Sequence, residues 1–299
     1  MSWSVDKRYL SLELYSAPDN DSMEKSNKTV FSSLDINSKV FFTTTNSVSG
    51  GFSEANIVIN GLTPEKMEYL ASVSTQWLET AEKNKIVIDA GYEQAGHNII
   101  FEGILTSATP NLDTANYSLT LKAQSMFFDQ LNNIKSYSFQ GKKKASEIAN
   151  QFAKDLGYNF INATKNDVEV ENYQTKDKSI TENIRYLASI TGLDVFTENN
   201  RLYIKESGKG LDSSTVPVLT VDNTNMIGSP RITPQGVNVK IRLNPQVITG
   251  QIVEIKSVRF ETINTQKFVL QSVSYSGDTK GNDWTTYLTL IREDRYGIQ

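Results

Sequence analysis

Hydrophobic and polar residues alternate along much of the first 130 positions, in short runs bounded by Gly, Asn, Asp or Pro. Alternation with a period of two is typical of half-buried β-strands, because successive side chains point to opposite faces. The pattern therefore predicts a strand-rich region. The predicted strands are Tyr9–Tyr15, Lys39–Thr45, Ala55–Ile59, Lys85–Ala90, Asn98–Ser107 and Tyr117–Ser125.

One helix is predicted inside this region, starting at Thr63. A threonine N-cap, a proline at the first helical position (Pro64) and an early acid (Glu65) together form a typical helix start. Residues at helical spacing follow: Met67, Leu70, Ala71, Ser74 and Trp77.

The pattern changes at about residue 136 and predicts a small α+β module. The first helix of this module carries an apolar stripe and ends before Gly157, a C-cap residue. The second starts with a capping box at Ser179–Glu182 and ends at Gly192. A β-hairpin that turns at Asn199 and Asn200 follows it, since Asn tolerates the left-handed conformation of tight turns. The stripe residues of the two helices are Ala145, Ile148, Ala149, Phe152, Ala153 and Leu156, then Ile180, Ile184, Leu187 and Ala188.

Strands return after a predicted linker, Ser207–Pro217. Pro234, Gly236, Pro245 and Gly250 divide this last region into short segments, which we interpret as corners between the strands of a barrel wall. The predicted strands are Val218–Val221, Gly236–Leu243, Gly250–Lys256, Phe268–Ser276 and Thr285–Arg292.

The last region also resembles part of the first. A strand, a long strand, a polar loop and an alternating strand occur in the same order in Ile86–Ser125 and in Ile252–Glu293. This similarity raises the hypothesis of an internal duplication of a barrel-like unit.

Composition excludes several classes of site. The 299-residue chain contains no cysteine and a single histidine, His97, which rules out disulfides, thiolate metal sites and cysteine nucleophiles. Its formal charge of −4 does not suit a protein that grips nucleic acid through phosphates. Because the start lacks a signal-peptide pattern and no apolar run reaches about 20 residues, we expect a soluble protein that folds in a cytoplasm.

Candidate catalytic and ligand-binding residues are weak. Gly141 and the three lysines after it lack the second glycine and the Ser/Thr of a phosphate-binding loop, so they indicate a solvated helix entry. Glu93 and His97 are four apart, but they lie in a predicted hairpin loop, where a metal site is not expected. Asp89 is interpreted as a turn or hairpin residue, and no serine has the surroundings of an esterase nucleophile.

The three tryptophans, Trp3, Trp77 and Trp284, are candidates for a sugar-binding platform. Trp77 lies on the apolar stripe of its helix and is expected in the core. Trp284 opens a strand and is expected in packing or in an interface, while Trp3 is compatible with either role. None of them identifies a binding site.

Several segments, in matching order, resemble baseplate hub proteins of contractile-tailed bacteriophages, the tail hub or late control protein D-like family. The resemblance lies in the Leu-Thr-Pro helix start, the Ala-Gly-Tyr turn, the two-helix and hairpin module, and a Leu-Asn-Pro before a glycine turn. The matching stretches are NIVINGLTPEKMEYL, Asn84–Asn111, the helices and hairpin of the middle module, and Pro230–Ser257.

The resemblance implies an α+β, mainly β fold with two tail-tube-like β-barrel domains, at 1–130 and 211–299, around the module at 131–210. It implies a non-enzymatic homotrimer of a contractile phage tail or of a related injection machine. The trimer joins a hexameric tail tube to a trimeric central spike and encloses a channel through which DNA can pass. Implied partners are the tube protein, the spike and baseplate wedge or other tail-tip proteins, without specific nucleic-acid binding or stable membrane association. The implied location is the virion baseplate, after assembly in the host bacterial cytoplasm. The family transfers no catalytic, cofactor-binding or metal-binding residue.

Two alternatives stay open at this point. A tail-tip peptidoglycan hydrolase would clear a peptidoglycan zymogram, whereas a scaffold would not. A carbohydrate-binding tail adhesin would lose glycan binding when an exposed tryptophan is replaced.

Overall fold

The computed structural model describes residues 6–16, 27–32, 39–48, 53–74, 84–112, 117–125, 136–175, 179–198, 200–213 and 216–293. The elements of the first region are β1 (Arg8–Ser16), β2 (Asn27–Ser32), β3 (Lys39–Ser47), β4 (Glu54–Asn60), α1 (Pro64–Ser74), β5 (Lys85–Tyr92), β6 (Gly96–Asn111) and β7 (Ser118–Gln124). Those of the middle region are β8 (Lys142–Lys144), α2 (Ala145–Leu156), β9 (Asn159–Asn162), β10 (Glu169–Glu171), α3 (Ile180–Thr191), β11 (Leu193–Glu198) and β12 (Arg201–Glu206). The last region contains β13 (Leu219–Val221), β14 (Arg231–Ile232), β15 (Gly236–Arg242), β16 (Ile252–Ile255), a 3₁₀ turn (Glu261–Ile263), β17 (Lys267–Asp278) and β18 (Trp284–Arg292).

The first and last regions form one 13-stranded sheet. Its main path runs β14-β15-β18-β17-β3-β4-β7-β6-β5-β1-β2, with β16 paired to β17 and β13 paired to β16. The mainly β class is thus confirmed. Among the described strands this path is open, with no ring of strands closing into a barrel, so the two-barrel arrangement stays a prediction.

The antiparallel pairing of β3 with β17 joins the two regions through backbone hydrogen bonds. We call this pairing the seam. Ser272–Asp278 pairs with residues 47 to 41, while β16 takes residues 267–269 on the same edge of β17. An extra residue, Gln271, separates the two partners, and its carbonyl accepts a hydrogen bond from the Val48 N–H at 2.9 Å. The same edge of β17 therefore pairs first with β16 and then with β3.

A single apolar core continues across the seam. Leu, Ile, Val and Phe side chains of β1, β3, β4, β5 and β7 belong to the same buried cluster as those of β15 to β18. At the seam Phe42 packs edge-to-face against Trp284, with ring centroids 5.6 Å apart. Gly277 lies between them, since an added Cβ would come 2.4 Å from Phe42 and 2.8 Å from Trp284.

Side-chain contacts hold β1 against the β17–β18 turn. The Arg8 guanidinium donates to the carbonyls of Asp278 at 2.9 Å and Gly281 at 2.6 Å, and it lies 5.5 Å from the Trp284 ring. The Trp284 indole N–H donates to the Gly91 carbonyl at 3.1 Å. The first region therefore curls until its far strands meet the start of the seam.

The middle module packs α2 and α3 on the three-stranded sheet β11-β12-β9 around a core of its own. We call the attachment of this module to the large sheet the junction. It contains a second apolar cluster, on the face of the β11–β12 hairpin that points away from the core of the module. Its buried members are Val48, Phe196, Tyr203, Leu211 and Val216.

Most predicted elements are confirmed, with one- to four-residue changes at their ends. The C-caps Gly157 and Gly192 adopt left-handed φ values of 69° and 66°, and Asn200 does so at 58°. Strands β2, β8, β9 and β10 were not predicted. The capping box was wrong in detail, because Ser179 is the N-cap but its side chain makes no capping hydrogen bond.

Candidate functional site

The sole histidine pairs with a partner other than the one its sequence spacing suggested. The imidazole Nδ1 of His97 lies 2.8 and 3.0 Å from the two carboxylate oxygens of Asp89, and its ring stacks on Tyr9 with centroids 3.8 Å apart. Glu93 lies in the β5–β6 turn, as expected for a hairpin loop. Asp89 is a strand residue of the β5–β6 hairpin, where it lies opposite Ile99, so the hairpin part of its interpretation is confirmed and the turn part is not.

Burial raises the pKa of the Asp89 carboxyl, against the smaller opposing effects of the hydrogen bond and charge of His97. In the part of the chain that the structure describes, no group of three or more His, Cys, Asp or Glu side chains could hold a metal ion. Through Asp89 and the stacked Tyr9 ring, His97 connects β6 with β5 and β1.

The three-lysine segment forms a strand and not a phosphate-binding loop. β8 pairs with β10, which places Lys144 opposite Glu169 and Lys142 opposite Glu171. Backbone N–H groups of β8 are thereby directed along a sheet, so they do not converge on a phosphate. The interpretation as a helix entry is confirmed, since α2 begins at Ala145.

Trp284 is 3% exposed and packs in the core, which confirms the first of its two expected roles, packing or an interface. Trp3 and Trp77 lie outside the described residues. Helices of the described ranges include none long and apolar enough to cross a membrane.

The outer face of the sheet is the feature that crosses both regions. Strand register aligns one residue from each of eight strands in a single row, on the side opposite the core. The row is Lys240, Tyr287, Ser274, Thr45, Glu54, Gln124, Ile104 and Lys85.

Hydroxyl side chains dominate this outer face at the seam. Positions Thr43, Thr45 and Ser47 of β3 alternate with buried neighbours, as do Ser272, Ser274 and Ser276 of β17. The Thr45 and Ser274 hydroxyl oxygens are 3.1 Å apart. Short hydroxyl side chains give this face a flat, polar surface of low fixed charge.

The charges near the seam are mixed in sign. Lys39 pairs with Asp278 at 3.0 Å, and Lys240 pairs with Asp283 at 3.5 Å. Although burial opposes it, hydrogen bonds from the backbone N–H groups of Lys280 and Gly281 and the Lys39 ammonium lower the pKa of the Asp278 carboxyl. These acids therefore stay ionised and neutralise the adjacent lysines at neutral pH.

The junction between the module and the large sheet contains a buried carboxylate, that of Glu198. Glu198, at the end of β11, accepts hydrogen bonds from the Thr249 N–H at 3.0 Å, the Thr249 hydroxyl at 2.9 Å and the Asn46 amide at 3.3 Å. Burial raises the pKa of the Glu198 carboxyl, and the hydrogen bonds from Thr249 and Asn46 oppose that rise. This carboxylate ties the hairpin of the module to β3 and to the loop before β16.

Beside Glu198 lies a cavity of about 20 Å³, lined also by Asn46 and Tyr158. That volume accommodates about one water molecule. A drug-sized ligand would need roughly 300 Å³ or more. The junction is therefore a structural contact and not a pocket for an organic ligand.

Comparison with known proteins supports an assembly role. A family model described as baseplate hub gp41 matches residues 22–289. A search of curated proteins returns no match.

Solved structures show the same fold at low sequence identity. A tail protein of Neisseria meningitidis MC58 has a TM-score of 0.63 and 11% identity, covering 97% of this chain and 98% of its own. A 43 kDa tail protein of prophage MuSo2 from Shewanella oneidensis has a TM-score of 0.62 and 10% identity, covering 97% and 100%. An Escherichia coli component of the type VI secretion system, with structural similarity to T4 bacteriophage tail proteins, has a TM-score of 0.58 and 12% identity, covering 89% and 78%.

Sequence reasoning missed the residues that shape this face. The period-two hydroxyls of β3 and β17 were visible in the sequence, but their adjacency was not, because no local signal pairs strands so far apart. No sequence pattern predicted the contact of Arg8, because its hydrogen-bond acceptors are main-chain carbonyls and every residue has one.

Proposed function

The chain belongs to the baseplate hub gp41 family, and from that premise we propose that it is a non-enzymatic hub subunit of a contractile phage tail. Three copies form a ring that adapts the hexameric tail tube to the trimeric central spike and encloses the channel. The observation that carries this proposal is the continuous sheet, which presents one polar face across two halves of the chain.

The two halves support a pseudo-sixfold ring because their central strands share a plan. In β5-β6-β7 and in β16-β17-β18, a long middle strand pairs antiparallel with both neighbours and carries one irregularity in its register with the last strand. The irregularities lie between Leu105 and Ser107 and between Leu270 and Ser272. Each half then supplies one barrel-like unit, so three chains supply six.

Two contacts outside the main path of the sheet support this arrangement. Arg8 links β1 of the first unit to the β17–β18 turn of the second. In the second, the bridge of Met226 with Ile241 returns the chain after β13 to β15. We accordingly assign 1–130 and 211–299 to two tube-like domains and 131–210 to the module between them.

The outer face of β15, β18, β17, β3, β4 and β7 lines the channel in this proposal. DNA phosphates bind chiefly to fixed cations, and each contact makes passage slower. A face rich in serine and threonine hydroxyls, on which Lys39 and Lys240 pair with carboxylates, offers fewer such contacts than a strongly basic surface would. It suits DNA that passes through without stopping.

The proposed partners are further copies of the chain, the tail tube protein, the central spike and wedge or other tail-tip proteins. The proposed location is the virion baseplate, after assembly in the host cytoplasm. The role is mechanical, so ring strength depends on buried interface area, on the order of 2,000 Å² or more per contact for obligate assemblies.

Native mass spectrometry of the chain, alone and co-expressed with its spike, tests the proposal. The expected result is a particle of three times the 33.4 kDa chain mass that also binds the trimeric spike. A chain that stays monomeric at high concentration and beside the spike would overturn it.

The absence of cysteine allows a direct test of the channel face. In the trimer, Thr45→Cys should react with a small maleimide but not with a polymer-linked one, because the channel excludes the polymer. Ile190→Cys, on the exposed side of α3, should react with both and serves as the control. Equal reaction of Thr45→Cys with both reagents would place this face outside the channel.

A further inference from the structure

The small cavity at the junction is lined almost entirely by side chains that carry oxygen. Its volume of about 20 Å³ accommodates one body of the size of a water molecule. Eight of the nine lining residues that the structure describes have a side-chain oxygen, and none of the nine is a lysine, an arginine or a histidine. Asn46, Ser53 and Ser125 belong to the large-sheet side of the cavity, whereas Tyr158 and Glu198 belong to the module.

One buried oxygen at this cavity has no hydrogen-bond partner. Asn46 is 5% exposed, and its side-chain Oδ1 makes no hydrogen bond within the described residues. The Asn46 Nδ2 donates to Glu198 Oε1 at 3.3 Å, and a rotated amide would place two oxygen atoms at that distance. Oδ1 is therefore the polar atom that Asn46 presents to the cavity. Because an unpartnered buried oxygen costs free energy, this atom calls for a ligand from outside the chain.

The neighbouring carboxylate has hydrogen bonds but no counter-charge. Glu198 is 6% exposed and forms no ion pair in the part of the chain that the structure describes. Its Oε1 accepts from the Thr249 hydroxyl and the Asn46 amide, whereas its Oε2 accepts only from the Thr249 N–H. Arg201 acts on it only through its charge. A buried charge without a partner is costly, so Glu198 also calls for a cation.

A cation meets both requirements, whereas a water molecule meets one. Water could donate to Asn46 Oδ1 and Glu198 Oε2, but it would leave the negative charge of the junction uncompensated. A hard cation is bound by both oxygens and neutralises the carboxylate as well, and carboxylate and amide oxygens are ligands that Ca²⁺ prefers. Glu102 also lines the cavity, but it pairs with Lys85, so Glu198 supplies the net charge.

We propose that the junction binds one small hard cation, of the Ca²⁺ or Na⁺ class, between Asn46 of β3 and Glu198 of β11. The site has one charged ligand and several neutral oxygens, so it differs from a cluster of three or more acidic side chains. Because its two main ligands come from the large sheet and from the module, the bound cation holds one against the other. The site does not depend on the hub function, and neither proposal falls with the other.

Thermal unfolding of chelator-treated protein tests whether a cation binds. The unfolding midpoint is measured in calcium chloride, sodium chloride and choline chloride at equal ionic strength. Calcium or sodium should raise the midpoint above that in choline, since a ligand of the folded state stabilises it. A rise in calcium alone or in sodium alone identifies the cation. Equal midpoints in all three salts would mean that the cavity holds an ordered water only, and would overturn the proposal.

Two variants of opposite effect test the ligands, with calcium affinity measured by isothermal titration calorimetry. Glu198→Gln keeps the size of the side chain but removes its charge, and it should weaken binding by about tenfold or more. Glu261→Gln removes an exposed carboxylate outside the cavity and should leave binding unchanged.

Asn46→Asp adds a second carboxylate to the cavity and should tighten calcium binding by about tenfold or more, because affinity rises with ligand charge. Without calcium the same variant should be less stable than the wild type, since two buried carboxylates repel each other. Circular dichroism verifies that each variant is folded. Unchanged affinity in Glu198→Gln, or no gain in Asn46→Asp, would overturn the assignment of the ligands.

Terbium luminescence locates the ion independently of stability. Tb³⁺ replaces Ca²⁺ at oxygen sites and emits when a nearby tyrosine is excited, and Tyr158 lines the cavity. Excitation of tyrosine should therefore produce Tb³⁺ emission that calcium displaces, and Tyr158→Phe should remove most of it. Emission that persists in full in Tyr158→Phe would place the ion elsewhere and overturn the proposal.

Discussion

The seam and the junction connect parts of this molecule in different ways. At the seam, β3 and β17 exchange backbone hydrogen bonds over seven register positions, and one apolar core covers both sides. At the junction, the module hairpin is held by the Glu198 side chain, which accepts from the Thr249 N–H and hydroxyl, and by a small apolar cluster. A ladder inside a shared core makes two regions unfold together, whereas a side-chain contact lets one part open locally.

The largest effect should come from breaking the seam ladder with Ser274→Pro. Ser274 pairs with Thr45 on one side and Tyr287 on the other, so it is a central-strand position. Proline there removes an N–H and clashes with the neighbouring backbone, at a cost of about 3 kcal/mol or more.

Denaturant unfolding should show both sheet regions destabilised together, in one transition. Ser274→Ala keeps the N–H and removes only the hydroxyl contact with Thr45, so it should cost far less. Two separate transitions, with only the last region affected, would contradict a common folding unit.

A smaller effect should follow from overpacking the seam with Gly277→Val. Its Cβ would meet Phe42 and Trp284 at 2.4 and 2.8 Å, and both rings are fixed by the core. The expected loss of unfolding free energy is about 1–3 kcal/mol. Gly281→Ala lies in the β17–β18 turn, where the atoms nearest an added Cβ belong to the Asp278 side chain, and should serve as a milder comparison. Equal losses would show that the two rings do not restrict this position.

The junction should respond locally to Thr249→Val, which deletes one hydroxyl that donates to Glu198. Leaving a buried carboxylate short of a donor costs roughly 1–3 kcal/mol. Hydrogen exchange should quicken in β11 and β12 while β3 and β17 stay protected. Thr265→Val, at an exposed site, is the control. Faster exchange in β3 and β17 as well would remove the distinction between seam and junction.

The smallest effect should be a change of pH dependence in Glu198→Gln. Burial raises the folded pKa of Glu198 above its ordinary value of 4.5, so the folded state holds this proton more tightly than the unfolded state. The resulting stability is fully present below about pH 4.5 and is lost as pH rises through the folded pKa.

Glutamine does not titrate, so the stability curve of the variant should lack this decline with rising pH. Unfolding free energies of both proteins, measured across that window, give the slope directly. Glu261→Gln, at an exposed acid, should keep the wild-type slope. An unchanged slope in Glu198→Gln would mean that the junction carboxylate is not the source.

Local patterns were sufficient for the elements but not for the seam. Helices α2 and α3 were predictable because stripe, length and a terminal glycine agree, and the hairpin was predictable from Asn199 and Asn200. Strand β2 was missed because its six residues, NKTVFS, contain no sustained alternation. The pairing of β3 with β17 left no local trace, so the sequence did not predict that one sheet joins the two strand-rich regions.

For the candidate site, too, composition was informative but the contacts between strands could not be predicted. The absence of cysteine and the single histidine limited the classes of site that the sequence could contain. His97 was noticed, but its partner Asp89 lies on the neighbouring strand, and only strand register brings the two together. The outer face depends on register across eight strands, which no single segment encodes.

The seam also sets an order for making the protein. Thr45 and its neighbour Ser274 are 229 positions apart, so at about 5–20 residues per second a ribosome needs roughly 10–50 s to supply the partner of β3. During that time one edge of β3 waits unpaired, and exposed strand edges recruit other chains. Synthesis of β17 is therefore the step that completes the pairing of β3, long after β3 itself has been made.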